Sequence, residues 1–143
     1  DTMQTEGSVP PRILIVDDDP FNILALESLL KAFNIHIEKA FNGKDAVNKV
    51  LQRNSPGENI SLHYKLVFMD FNMPVMDGRE ATKNIRQLAR EGKIIETKVV
   101  GCTAFSARDD IQKGIKSGMK EVLTKPVDKE KLIDILKRHY ILP

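Results

Sequence analysis

The sequence predicts an α/β fold, in which a five-stranded parallel sheet carries helices on both faces. Short apolar runs alternate five times with segments whose apolar residues recur at helical spacing. This alternation is typical of a doubly wound parallel sheet, because two parallel strands need a helix-length crossover between them. Right-handed crossovers place the carboxyl ends of all strands at one edge of the sheet, where ligands bind in such folds.

The strands are predicted from short runs of β-branched and other apolar residues. Such continuous runs are typical of strands that are buried on both faces of a parallel sheet. In chain order, the predicted strands are Arg12–Val16, Ile35–Ala40, Leu66–Met69, Val99–Cys102 and Val122–Thr124.

The helices are predicted from apolar stripes and from residues that begin or end helices. In chain order, the stripes are Ile23, Leu26, Leu30 and Phe33; Ala46, Val47, Val50 and Leu51; Ala81, Ile85 and Leu88; Ile111 and Ile115; and Leu132, Ile135, Leu136 and Tyr140. The expected caps and turns are Asp19 before Pro20, Asn34, Asn42-Gly43, Asp77-Gly78, Gly92, Ser106 with Asp109, Gly118 and Asp128. Residues 53–62, with Pro56 and Gly57, predict a loop.

The composition is that of a single globular domain. Of the 143 residues, 41% are hydrophobic and 29% are charged, which is enough apolar material for a core. The apolar runs are far shorter than the ~20 residues that span a bilayer, so no direct membrane contact is expected. The 22 Lys and Arg and the 20 Asp and Glu residues are spread along the chain, without the basic block typical of nucleic-acid binding. The single cysteine, Cys102, excludes an internal disulfide and favours a reducing, cytoplasmic compartment.

Two segments are expected along the chain. Polar residues with Gly and Pro over residues 1–11 predict a linker or a disordered lead-in, and residues 12–143 then form the folded domain. The chain begins with Asp1 rather than Met, which favours a piece of a longer protein.

The predicted strands end in residues that carry chemistry. Asp17–Asp19 follows the first strand, Asp70 the third, Thr103 the fourth and Lys125 the fifth. Carboxylates a few ångströms apart repel one another unless a cation lies between them, and oxygen ligands of this kind suit Mg²⁺. A strand-end carboxylate can also act as a nucleophile and form an acyl phosphate, for which a lysine and a hydroxyl would supply positioning and charge.

Four motifs at these strand ends carry a resemblance to a known family. They are Val16–Asp19, Met69–Gly78 with the sequence MDFNMPVMDG, Cys102–Ala104 and Thr124–Pro126. In this order they resemble the receiver domain of two-component response regulators, over residues 12–140. The resemblance implies a flavodoxin-like, CheY-like (βα)5 fold with the strand order 2-1-3-4-5.

The resemblance also implies roles for individual residues. Asp70 corresponds to the phospho-accepting aspartate, Asp18 to a direct metal ligand and Asp17 to a ligand that acts mostly through water. Asn72 matches the position whose backbone carbonyl binds the metal. The expected cofactor is Mg²⁺, with Mn²⁺ as an alternative.

Thr103 and Lys125 match the two residues that contact the phosphoryl group in this family. The Thr103 hydroxyl moves toward the group and reports its presence, Lys125 pairs with a phosphoryl oxygen, and the Lys125-Pro126 bond is similar to a cis peptide of the family. Pro74 and Gly78 are expected to shape the loop after Asp70. The implied partner is a phosphohistidine on a histidine kinase or on a histidine phosphotransfer protein.

The sequence departs from the family at two places. Val122 stands where an aromatic switch residue is common, and the loop 53–64 is longer than usual but is expected at the edge away from the site. Phe105 follows Thr103 closely, which suggests that its ring overhangs the site and limits the entry of water. His36, His63 and His139 show no metal spacing, and Cys102 is expected to be a buried small hydrophobic residue.

Other functions fit the sequence less well than a phosphorylated receiver. Phosphatases of the haloacid dehalogenase type use a second aspartate as general acid where Asn72 stands, and an amide cannot serve in that way, which argues against fast turnover. No glycine-rich nucleotide loop occurs, so ATP is not expected as a direct substrate. The isolated domain is expected to be a phospho-acceptor that at most catalyses its own transfer and hydrolysis, and not an enzyme. The motif wording favours the carboxyl-terminal receiver of a hybrid histidine kinase; the alternatives are a stand-alone response regulator and, less favoured, a pseudo-receiver that works without phosphorylation.

A weak homodimer is a further expectation, since receivers often pair through the last helices and strand. That face would carry Lys113, Lys116, Lys131 and Asp134, which neither require nor exclude pairing.

Overall fold

Five parallel strands form one sheet in the order β2-β1-β3-β4-β5, with helices on both faces. The fold class and strand order expected from the sequence are therefore confirmed. This computed structural model describes residues 9–104 and 108–143. The Ser106 cap, the Phe105 hypothesis and most of the linker predicted over 1–11 lie outside the described residues.

The bounds of the elements differ from the predicted ones by a few residues. The strands are β1 (Arg12–Val16), β2 (His36–Ala40), β3 (Tyr64–Asp70), β4 (Lys98–Thr103) and β5 (Glu121–Thr124). The helices are α1 (Pro20–Leu30), α2 (Gly43–Arg53), α3 (Gly78–Arg90), α4 (Arg108–Ser117) and α5 (Lys129–Arg138), with short 3₁₀ turns at Lys31–Phe33 and Ile60–Leu62. In the part of the chain that the structure describes, no helix is long and apolar enough to cross a membrane.

The sheet separates two hydrophobic cores. Residues of β1 alternate between them, so that Leu14 and Val16 face one core while Ile13 and Ile15 face the other, and all four are buried. One core is covered by α2 and α3, the other by α1 and α5. Burial on both faces explains why β1 is a continuous apolar run rather than an alternating one.

Side-chain caps begin four of the helices. The carboxylates of Asp19, Asp77 and Asp128 and the amide oxygen of Asn42 each accept a backbone N–H from the first turn, at 2.8–2.9 Å. The expected caps Asp19, Asp77 and Asp128 are thus confirmed. Asn42-Gly43, expected as a turn, is instead the cap and first residue of α2, and Asn34 ends the first helical segment with a φ of 55°.

Three residues predicted to face the core are exposed. Leu51 is 39% exposed because the buried face of α2 is formed by Ala46 and Val50, and Leu51 lies outside that face. Tyr140 is 88% exposed because α5 ends at Arg138, so Tyr140 leaves the helical stripe with a φ of 60°.

Ile115 is the third wrong prediction, with 46% of its surface exposed. Helix α4 buries Gly114 and Ser117 instead. A Cβ at Gly114 would lie 2.7 Å from Val122 Cγ2 and 2.8 Å from Phe71 Cζ, so the helix approaches its neighbours on its smallest residue. That close approach turns Ile115 toward the surface.

A polar cluster binds β1, β2 and β3 together near the amino-terminal ends of β1 and β3. The Glu38 carboxylate contacts Arg12, accepts the Tyr64 hydroxyl at 2.6 Å and lies 3.1 Å from Arg53 Nη2. Buried Asn54 donates to the carbonyl oxygens of Tyr64 and Ile95, each at 3.3 Å. The long loop that ends before β3 is therefore held at the edge away from the carboxyl ends of the strands, as expected.

Candidate functional site

The topology brings four chemically active strand ends to one edge of the sheet. Asp17 directly follows β1, Asp70 ends β3, Thr103 ends β4 and Lys125 directly follows β5. The parallel register pairs Asp70 with Cys102, next to Thr103. Residues far apart in the sequence thus become neighbours, as the strand–helix alternation predicts.

Three carboxylates form an acidic cluster at this edge. Ligand oxygens of Asp17, Asp18 and Asp70 all lie within 4.8 Å of one another. Asp17 and Asp70 are buried, with 5% and 7% of their surfaces exposed, whereas Asp18 is exposed. Oxygen ligands that combine two buried carboxylates with one open to solvent fit a hard divalent cation that keeps part of its water shell, such as Mg²⁺.

Lys125 joins the two buried carboxylates. Its Nζ lies 2.7 Å from Asp70 Oδ1 and 2.9 Å from Asp17 Oδ2. The peptide bond between Lys125 and Pro126 is cis, as the family resemblance implies. One ammonium compensates one of the three carboxylates, so the site keeps an excess of negative charge that a cation would neutralise.

The charge imbalance appears in the pKa values of the site. Burial raises the pKa of the Asp70 carboxyl, and the nearby charges of Asp17 and Asp18 act in the same direction, while the hydrogen bond from Lys125 offsets them only in part. Burial disfavours the charged ammonium of Lys125, but its hydrogen bonds to Asp70 and Asp17 outweigh that effect and raise its pKa. The ammonium therefore stays charged while the carboxylates remain under-compensated.

Backbone contacts hold the buried carboxylates in place. The Asp19 N–H donates to Asp17 Oδ1 at 2.9 Å, so Asp19 orients Asp17 in addition to capping α1. This second contact of Asp19 escaped sequence reasoning, because only its cap position before Pro20 is visible in the sequence. A Cβ at Gly78 would lie 1.9 Å from the Asp70 carbonyl oxygen, so only glycine lets α3 begin against the end of β3.

The remaining predicted site residues lie close to this cluster. Thr103 is buried, and its carbonyl oxygen accepts the Lys125 N–H at 2.7 Å, which ties the end of β4 to the lysine. Asn72 is exposed in the loop after Asp70. Their roles toward the phosphoryl group and the metal stay predictions.

A cavity next to the site has no counterpart in the sequence predictions. It measures about 340 Å³, lies beneath α1 and is lined by Leu26, Phe68 and Cys102, with Lys125 at its side. Cys102 is buried as expected, and burial raises the pKa of its thiol to about 12. No sequence pattern points to this cavity, since its walls come from α1, β1, β3, β4 and the segment after β5.

Known proteins show the same fold and motifs. A family model described as the response regulator receiver domain matches residues 13–137. The osmosensing histidine protein kinase SLN1 of Saccharomyces cerevisiae is 36% identical over 137 residues, which is 95% of this chain and 10% of that protein. The chain spans between 7% and 14% of the length of the curated relatives that it matches.

Two solved receiver structures have a similar fold. The receiver domain of the sensor histidine kinase PA1611 of Pseudomonas aeruginosa, with a magnesium ion in its active-site cleft, is 28% identical with a TM-score of 0.75, over 90% of this chain and 96% of that chain. The Saccharomyces cerevisiae Ssk1 receiver, crystallised with the histidine phosphotransfer protein Ypd1, is 30% identical with a TM-score of 0.78, over 90% and 87%. The chain therefore belongs to the response regulator receiver domains of two-component signalling, with relatives among the receivers of hybrid histidine kinases.

Proposed function

We propose that this receiver accepts a phosphoryl group from a phosphohistidine onto Asp70, and that the acyl phosphate switches a protein-binding surface. The observation that carries the proposal is the buried Asp70 carboxylate, which ends a central strand 2.7 Å from Lys125 and within 4.8 Å of two further carboxylates. A carboxylate placed for packing alone would be fully compensated by its neighbours, whereas this one is compensated only in part.

The proposed transfer needs an ionised nucleophile. A carboxylate oxygen of Asp70 attacks the phosphorus, an O–P bond forms as the N–P bond of the phosphohistidine breaks, and the leaving imidazole nitrogen takes a proton from solvent. Lys125, already within hydrogen-bond distance of Asp70, is placed to pair with a phosphoryl oxygen as the group arrives. Asp17, Asp18, Asp70 and the Asn72 carbonyl would hold Mg²⁺ or Mn²⁺, which supplies positive charge beside the transferred oxygens.

Thr103 would connect the phosphoryl group to the surface. It is buried at the end of β4, directly before the segment that leads to α4. A hydroxyl contact with the new phosphoryl oxygens would favour one of two positions of the end of β4 and of the face of α4, which is a population shift. Val122 is only half-buried and carries no ring, so the proposed switch relies on Thr103.

The phosphodonor and the context follow from the relatives. A histidine phosphotransfer protein binds the Ssk1 receiver, and hybrid histidine kinases carry the receivers that this chain resembles. We therefore assign this domain to a phosphorelay, with a histidine kinase or a histidine phosphotransfer protein as partner. A hybrid kinase is the favoured parent protein, and a stand-alone response regulator would use the same site.

Intact mass spectrometry after incubation with acetyl phosphate tests the acceptor role. We expect one phosphoryl adduct that requires Mg²⁺ and is lost in Asp70→Asn. Asp134→Asn, at an exposed position on α5, is the matched control and should keep the adduct. A folded protein that binds Mg²⁺ and gains no adduct, either from acetyl phosphate or from a phosphorylated phosphotransfer protein, would contradict the proposal.

A further inference from the structure

Two rows of cationic side chains run along α3 and along α4 with its following turn. Residues three or four apart on a helix lie on one face, and the α3 row and the first two cations of the second row follow that spacing. The row on α3 consists of Arg79, Lys83, Arg86 and Arg90, and the row on α4 and its turn consists of Lys113, Lys116 and Lys120.

The two rows line two neighbouring depressions between α3 and α4, which together we call the α3–α4 groove. One depression, of about 420 Å³, is lined by Arg79 and Lys83 from α3 and by Lys113 and Lys116 from α4. The other, of about 480 Å³, is lined by Arg86, Arg90 and Lys120 among its residues. Each depression therefore has cations on both of its sides.

Most of these cations have no ion-pair partner among the residues that the structure describes. Within residues 9–104 and 108–143, Arg79 lies 4.0 Å from Asp77, and none of the other six forms an ion pair. Three carboxylates, those of Asp77, Glu80 and Glu96, line the groove against seven cations. Like charges at helical spacing repel one another. An acidic partner would reduce this electrostatic repulsion among the cations.

The floor of the groove is apolar. Ile85, Val99 and Met119 are buried beneath it, and Ile115 stands among the cations with 46% of its surface exposed. Ile115 is exposed because α4 packs through Gly114. A nucleic-acid backbone would gain nothing from this apolar strip. A chain segment with both acidic and apolar side chains matches both properties.

We propose that the α3–α4 groove binds an acidic, amphipathic segment of a partner protein, with an apolar side chain over Ile115 and carboxylates against the flanking cations. From Arg79 to Arg90 the groove extends for about 16 Å at ~1.5 Å per helical residue, which suits about three turns of a bound helix. The groove does not include Asp17, Asp70 or Lys125, so this binding is separate from the proposed phosphorylation.

Fluorescence anisotropy with a labelled helical peptide tests the proposal. The probe has about 15 residues, with leucine at every third or fourth position and glutamate on the flanks. Arg90→Glu combined with Lys120→Glu should weaken its binding by roughly tenfold or more, and high salt should weaken binding to the unchanged protein. Ile115→Gln should weaken it by roughly threefold to tenfold, because the apolar contact is lost.

Matched controls separate the groove from net charge. Lys44→Glu combined with Lys129→Glu changes two exposed lysines outside the groove and should alter binding by less than about twofold. A scrambled peptide of the same composition should bind more weakly than the amphipathic one.

The proposal is overturned if no peptide binds, if both double variants weaken binding equally, or if a single-stranded DNA of similar charge binds more tightly than the peptide. All variants should keep the Asp70 adduct with acetyl phosphate. Loss of peptide binding with the adduct intact therefore counts against the groove alone.

Discussion

Two clusters of charged side chains lie toward opposite ends of the sheet and differ in how their carboxylates are compensated. Near the amino-terminal ends of β1 and β3, Glu38 meets two guanidinium groups and the hydroxyl of Tyr64. At the carboxyl-terminal edge, three carboxylates share the single ammonium of Lys125. The Glu38 carboxylate is fully compensated by its neighbours, although Arg12 Nε is buried without a hydrogen-bond partner, whereas the carboxylates of the second cluster are compensated only in part.

The pKa values express the same difference. Burial would raise the pKa of Glu38, but hydrogen bonds from Tyr64 and Arg12 and the charge of Arg53 outweigh it, so the pKa is lowered. Burial also raises the pKa of Asp70, and there the hydrogen bond from Lys125 is too weak to offset it, so the pKa stays raised. Burial alone therefore does not mark a functional carboxylate; the balance of its partners does.

Among the variants that test this comparison, Lys125→Met is expected to change the free energy of unfolding most. Removal of the ammonium leaves Asp17 and Asp70 buried side by side, which should lower the free energy of unfolding by about 2–3 kcal/mol in chelator. Mg²⁺ should restore most of that loss, because a cation at the cluster would neutralise the same carboxylates. Urea denaturation with and without Mg²⁺ measures both effects.

Lys129→Met is the control for this variant, since Lys129 is exposed at the start of α5. It should change stability by less than about 0.5 kcal/mol and respond to Mg²⁺ as the unchanged protein does. A loss in Lys125→Met that Mg²⁺ leaves untouched would mean that the acidic cluster does not bind the cation.

The next effect is expected from Glu38→Gln. The amide keeps the shape of the side chain but cannot compensate Arg12 and Arg53, so the free energy of unfolding should fall by about 2 kcal/mol. Unlike the loss in Lys125→Met, this loss should be the same with and without Mg²⁺. Glu130→Gln on α5 provides an exposed control, and a loss in Glu38→Gln that Mg²⁺ reverses would contradict the distinction between the two clusters.

A smaller effect concerns pH and the Glu38 cluster. The pKa of Glu38 is lowered in the fold from its ordinary value of 4.5. An acid with a lowered folded pKa contributes stability that is present above its unfolded pKa and is lost as the pH falls through the folded pKa. The difference in unfolding free energy between the unchanged protein and Glu38→Gln should therefore be constant above pH 4.5 and shrink below it; a difference that grows on acidification would contradict this assignment.

The two clusters also differ in how far the sequence reveals them. Lys125 and Asp17 are 108 positions apart, yet both follow predicted strands, and parallel topology alone places them at one edge. The members of the Glu38 cluster sit inside or beside elements, at positions 12, 38, 53 and 64. No periodic pattern links those positions, so only the packed structure shows their contacts.

The helix faces show a second limit of sequence reasoning. Burial of Leu132, Ile135 and Leu136 on α5 follows from their spacing, because three large apolar residues determine the inner face. Helix α4 has no such stripe, and the hydrophobic signal at Ile115 points to the wrong face. Gly114 carries no hydrophobic signal, although its small size decides how the helix packs.

The smallest expected effect, with the opposite sign, comes from Asp70→Asn. The uncharged amide removes repulsion with Asp17 and Asp18 but also weakens the hydrogen bond to Lys125. Because the raised pKa shows that the fold disfavours the charged form of Asp70, the variant should gain about 0.5–1 kcal/mol of stability in chelator. It should also be stabilised less by Mg²⁺, since one ligand charge is lost. Urea denaturation beside Glu38→Gln measures this: destabilisation by a similar amount in both variants would mean that Asp70 is as fully compensated as Glu38, and the contrast between the two ends of the sheet would fail.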